Sequence, residues 1–160
     1  MPKYTFYGTA YWTSGRRGLV QAEIPGKSIV FSAPREFQGE PGFWSPEDFL
    51  VAAVGSCFVT TFRAIAEASK FEYVSLEVAV EGAVEKGDSG FQFTELVLKP
   101  QLTIQTEPDR PRGERLLEKT EHACLISRSL KSRVRMEPKI EAAEPQRAEG
   151  GEIHMAESMT

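Results

Sequence analysis

One stretch limits what this chain can become. Ser45-Pro46-Glu47-Asp48 opens it, and Phe49 to Ala68 follows with only Arg63 and Glu67 charged. Serine at the cap, proline at the first helical position and two acids in the first turn are the chemistry of a helix start. Beyond that start, apolar residues lie on every side rather than along one stripe. A helix apolar all round must be buried. In a domain of 160 residues, one sheet covers only one side of it. A second copy of the same helix, across a dimer interface, would cover the other.

The flanks read as strands. Tyr4 to Thr13 is rich in aromatic and β-branched residues and ends in a turn from Thr13 to Gly18. Leu19 to Ile24 and Ser28 to Ala33 continue the meander on either side of the Pro25-Gly26-Lys27 turn. Pro34 to Trp44, with two prolines and two glycines, is a loop. After the helix, Val74, Leu76, Val78, Val80 and Val84 alternate with Ser75, Glu77, Glu81 and Glu85, the pattern of a strand with one face in water. Lys86 to Gly90 makes a hairpin loop, and Phe91 to Gln105 returns. Pro100 within the return predicts an edge or a bulge. A second helix follows Pro111, with Leu116, Leu117, Thr120, Ala123 and Cys124 on its inward stripe. Ser127 to Lys131 reads as a short further turn and Val134 to Ile140 as a final strand. The order gives an α+β domain over residues 1–143, and a polar tail over 144–160 is expected to be disordered.

Composition removes several functions. The net charge is −4, so the surplus of Lys and Arg that nucleic acids or anionic membranes attract is missing. No uninterrupted run of about 18 apolar residues predicts a membrane span. The N-terminus lacks the apolar segment of a signal peptide, and the expected address is the cytosol. Two cysteines and two histidines, none closely paired, predict no structural metal site. No phosphate-cradling glycine loop is present, and no cofactor is expected.

The chemistry that remains belongs to Cys57 and Cys124. Each alone reads as a small buried hydrophobe with an inert thiol. Together they are the only thiols, each on the inward face of one of the two substantial helices. A disulfide between them requires α-carbons within about 7 Å. Asp48 is a first-turn acid with a structural role. Glu47 lies ten residues before Cys57, roughly 15 Å away along a helix, and reaches it only through a kink or from a partner subunit. Arg16, Arg17 and Arg35 are by default solvated loop residues.

Ser45-Pro46-Glu47-Asp48-Phe49-Leu50-Val51-Ala52-Ala53-Val54-Gly55-Ser56-Cys57-Phe58 resembles the signature of the OsmC/Ohr superfamily. Glu121-His122-Ala123-Cys124-Leu125-Ile126-Ser127-Arg128-Ser129-Leu130 is similar to that family's second-cysteine motif. The resemblance spans roughly residues 4 to 140. It implies an intertwined α+β homodimer with two central helices inside antiparallel sheets. It implies a peroxidase for organic hydroperoxides or hydrogen peroxide. Cys57 would be the peroxidatic thiolate, Cys124 the resolving thiol, and an external dithiol the reductant. Glu47 would orient an arginine, Arg16 by the first match, with Arg35 as the alternative taken from the segment before the helix. Phe43, Trp44 and Phe49, near Glu47, read either as the wall of an apolar substrate pocket, with Arg35, or equally as core packing. Two departures stand out. Leu125 follows Cys124 where many members have proline, and Ser32 to Phe37 is similar to other branches of the family. His122, two residues before Cys124, reads as a surface histidine more readily than as a proton donor.

A rival class of function keeps the fold without the chemistry: a dimeric small-molecule binder whose thiols stay silent toward peroxide.

Overall fold

The computed structural model describes residues 1–143; the expected tail lies outside them. Three antiparallel strands come first, β1 (Gly8–Ser14), β2 (Arg17–Ala22) and β3 (Ser28–Ser32). A short 3-10 turn at Arg35–Phe37 interrupts the loop that follows. Helix α1 runs from Pro46 to Ala68, and β4 (Tyr73–Gly87) and β5 (Gly90–Ile104) form a long hairpin behind it. Helix α2 (Arg110–Ala123), the single turn α3 (Leu125–Arg128), β6 (Arg133–Met136) and β7 (Lys139–Ala142) complete the fold.

The start of α1 is built as its sequence dictates. The Ser45 hydroxyl accepts from the Asp48 N–H at 3.1 Å, and the Asp48 carboxylate accepts from the Ser45 N–H at 2.8 Å. This reciprocal cap satisfies two otherwise orphaned donors. Val54, Phe58, Phe62 and Ala66 then form one fully buried stripe. They meet Leu96, Leu98, Leu102 and Ile104 of β5 and Leu116 and Leu117 of α2 in one core. Gly55 lets α1 lie close to the sheet, since a β-carbon there would stand 3.2 Å from a methyl of Val80.

The opposite side of α1 is uncovered: Ser56, Val59, Thr60 and Arg63 are exposed. The first sheet is likewise open, with every residue of β1 exposed, Tyr11 and Trp12 among them. Apolar residues do surround α1, but this chain buries only one side.

Four expectations need correction. By length and composition α1 is apolar enough to cross a membrane, because its few polar side chains are spread along 23 residues rather than ending the run. Its buried stripe is the one that packs in the core. Ala123 is exposed, since α2 ends there and the chain turns. Pro100 sits in a central strand, not at an edge. It pairs with Val78 of β4, while on the other side β6 stops opposite Leu98 and β7 begins opposite Gln101. The final strand is split into β6 and β7 because Pro138 breaks it, and the two halves run parallel to β5 on either side of that gap.

Candidate active site

Two elements bring the thiols together. Cys57 lies at mid-length on α1, one residue before the buried Phe58. Cys124 caps two helices at once: its extended backbone (φ −62°, ψ 112°) ends α2 and starts α3. Packing of α1 against α2 and α3 sets Cys57 against this corner. Both cysteines are free thiols, Cys57 partly exposed and Cys124 fully buried. Their side chains adjoin at this corner and act on each other.

The corner treats the two sulfurs differently. The first N–H groups of a helix have no partner within it. Those of Ile126 and Leu125 point at the Cys57 sulfur. The Thr61 hydroxyl, one turn along α1, lies 3.8 Å from it. Burial pushes the Cys57 thiol up, but the Ile126 N–H, the Cys124 thiol, the Thr61 hydroxyl and the Leu125 N–H together hold it below its ordinary value. For Cys124 burial wins. The Ser127 hydroxyl and N–H favour its thiolate, yet burial and the adjoining Cys57 leave the thiol above its ordinary value. The Cys57 thiol therefore ionises more readily than the Cys124 thiol.

The expected arginine does not complete this site within the chain. Arg16 donates to the Gln38 side chain at 3.3 Å. Arg17 pairs with Glu40 at 3.1 Å and lies over the Phe43 ring. Arg35, in the 3-10 turn, lines a separate cavity. Among the described residues, no guanidinium is one of the groups acting on the Cys57 sulfur. The groups that lower the Cys57 thiol include two backbone N–H groups of α3, those of Ile126 and Leu125.

That separate cavity has a volume of about 730 Å³ and holds Arg35, Glu47 and Phe43 in its wall, with Phe37, Phe91 and Phe93. One oxygen of Glu47, Oε2, is buried without a hydrogen-bond partner. The loop bearing Arg35 is fixed by the Glu40 N–H on the Ser32 hydroxyl, at 2.9 Å. Gly39 presses so closely on this loop that a β-carbon would fall 1.4 Å from the Ala33 carbonyl oxygen. Trp44 lines a second hollow of about 680 Å³ on the uncovered side of α1. Phe49 lines neither. It packs against Trp44 (centroids 5.7 Å) and Phe31 (6.4 Å), so aromatic packing claims it.

Thr61 and the donors of α3 were not anticipated. Thr61 could have been found from the four-residue helical spacing to Cys57. The backbone donors carry no sequence signal of their own. His122 is exposed.

Comparison with known proteins bears on this arrangement. The family model for OsmC-like proteins matches residues 39–139, which include both cysteines and Glu47. The chain belongs to the OsmC-like protein family. Among curated relatives, the uncharacterized protein YmaD of Bacillus subtilis is 25% identical over 140 residues, covering 86% of this chain and 93% of its own. Peroxiredoxin OsmC of Escherichia coli is 25% identical over 101 residues, covering 63% of this chain and 69% of its own. An OsmC-like protein of unknown function from Vibrio cholerae superposes with a TM-score of 0.76 at 21% identity, covering 85% of this chain and 99% of that one. The OsmC-like α+β fold expected from the sequence is thereby established, except that the second sheet is mixed rather than antiparallel, because β6 and β7 run parallel to β5.

Proposed function

We propose that this protein is a thiol peroxidase that reduces organic hydroperoxides, with Cys57 as the attacking thiolate and Cys124 as the resolving thiol. The observation that carries the reading is two neighbouring cysteines at one corner, the Cys57 thiol held below its ordinary value and the Cys124 thiol above it.

The chemistry runs in three steps. The Cys57 thiolate attacks one peroxide oxygen, the O–O bond breaks, and the alkoxide leaves to take up a proton. Cys57 is then a sulfenic acid. The Cys124 sulfur attacks it, hydroxide leaves, and a disulfide joins the two cysteines. An external dithiol reduces that disulfide and restores both thiols. The peroxide is the oxidant and the dithiol the reductant, so no further redox partner is needed.

The working unit in this reading is a homodimer. Helix α1 runs without interruption from Glu47 to Cys57, so the two stand roughly 15 Å apart in one chain. A second copy seated on the uncovered side of α1 would bring its Glu47 and Arg35 to this Cys57. It would also cover the exposed aromatics of β1. The cavity holding Glu47, Arg35 and Phe43 is then the substrate pocket, and Arg35 is preferred to Arg16, which is bound to Gln38.

Intact mass after one equivalent of cumene hydroperoxide tests the chemistry. Loss of two hydrogens, abolished in Cys57→Ser, and steady peroxide consumption with a dithiol are expected. An unchanged mass and no consumption above the Cys57→Ser control would refute the peroxidase and leave the small-molecule binder. Sedimentation as a monomer would refute the shared pocket.

A further inference from the structure

The donors of α3 are divided between the two sulfurs. Leu125 and Ile126 turn their N–H groups to Cys57, whereas Ser127 is the third residue of the turn that Cys124 caps, the position whose N–H and side chain lie beside the cap residue. Ser127 is only 9% exposed, and its Oγ is buried with no hydrogen-bond partner while both cysteines are free thiols. A buried hydroxyl left idle is disfavoured, and folded proteins retain few of them. The other hydroxyls nearby are engaged. Thr120, equally buried, donates to the Leu116 carbonyl at 2.7 Å, and Thr61 lies against Cys57.

Cys124 has the complementary deficit. It is fully buried, and among the described residues no cation is one of the groups acting on its sulfur. To attack the Cys57 sulfenic acid it must nevertheless become a thiolate at the moment of reaction. A nearby donor with no competing acceptor can turn to the sulfur and strengthen as charge develops on it.

We propose that Ser127 is a catalytic residue of the resolving step: its hydroxyl donates to the Cys124 sulfur as that sulfur loses its proton and holds it facing Cys57. The inference rests on the peroxidase reading above for its place in the cycle. The electron pair of the Cys124 thiolate forms the S–S bond, the S–O bond of Cys57 breaks, and the departing hydroxide takes up the proton that Cys124 released, giving water. Ser127 is neither consumed nor oxidised.

The reduced protein and its Ser127→Ala variant are mixed with one equivalent of cumene hydroperoxide. Samples are quenched with dimedone over time, from pH 5.5 to 9, and weighed intact. Losing one hydrogen bond to a developing charge predicts disulfide formation about tenfold slower at pH 7. Its pH midpoint moves upward, and the dimedone adduct of Cys57 accumulates. The loss falls on resolution rather than on peroxide reduction, and Ser127→Thr restores the rate. Disulfide formation at the parental rate with an unmoved pH midpoint overturns the role. A second measurement needs no turnover. Thiolate absorbance at 240 nm is titrated in Cys57→Ser and in Cys57→Ser/Ser127→Ala. A higher midpoint in the double variant supports the inference, and equal midpoints overturn it. If the parent neither consumes peroxide nor forms an adduct, the peroxidase reading fails by itself, and the titration alone decides whether Ser127 holds the Cys124 thiolate.

Discussion

Replacing Leu125 with proline removes one hydrogen-bond donor from the Cys57 sulfur and little else. The Leu125 side chain is 65% exposed, so no core packing is lost. Leu125 is the first residue of α3, a position proline tolerates because its N–H has no helical partner. Cys124 before it already has the extended backbone that a following proline requires. What disappears is the Leu125 N–H on Cys57. Hydrogen bonds to charged groups contribute about 1.5–3 kcal/mol. Cys57 is partly exposed, so water screens the loss, and the Ile126 N–H, Cys124 and Thr61 remain. About 1 kcal/mol is the reasonable remainder, or roughly fivefold in the ionisation constant. The assay is thiolate absorbance at 240 nm in a Cys124→Ser background, so that only Cys57 titrates. The midpoint should rise, and iodoacetamide alkylation at pH 7 should slow by roughly twofold to threefold, because a more basic thiolate regains some nucleophilicity. A midpoint that stays put or falls, with the circular dichroism spectrum unchanged, would refute the assignment of the α3 backbone as the activating group.

Two further outcomes follow from the same corner and core. In Cys124→Ser, alkylation of Cys57 should reach its plateau at a lower pH than an ordinary thiol, since its donors outweigh burial. In Cys57→Ser, alkylation of Cys124 should need a higher pH, since burial dominates there; coincident profiles would contradict the asymmetry. Phe62→Ala should destabilise the fold by about 3–5 kcal/mol in urea unfolding. The ring is fully buried and packs edge-on against Tyr73, with centroids 5.2 Å apart. A change below about 1 kcal/mol would mean that the core relaxes around the cavity.

Local chemistry made much of the fold readable. The cap at Ser45, the proline at the start of α1, the period-two alternation of β4 and the glycine turn between β4 and β5 each act within a few residues. They appear where the sequence puts them. Errors arose where distant segments decide. Pro100 lies in a central strand because two short strands divide the rung beside it. Between the two readings left open for Phe49, packing against Phe31 and Trp44 holds because β3 and the loop before α1 converge there.

The site divides in the same way. The two cysteines stood out as the only thiols, each on one of the two substantial helices; Glu47 was tied to them by the family resemblance alone, and in this chain it lies in a separate cavity. The activating group did not stand out, because a backbone N–H belongs to every residue except proline. Only the packing of α1 against the α2–α3 corner aims those of Leu125 and Ile126 at a sulfur 68 residues earlier than Leu125 in the chain. Residue identity sets which chemistry is available; long-range packing sets which donors reach which sulfur, and so which thiol ionises first.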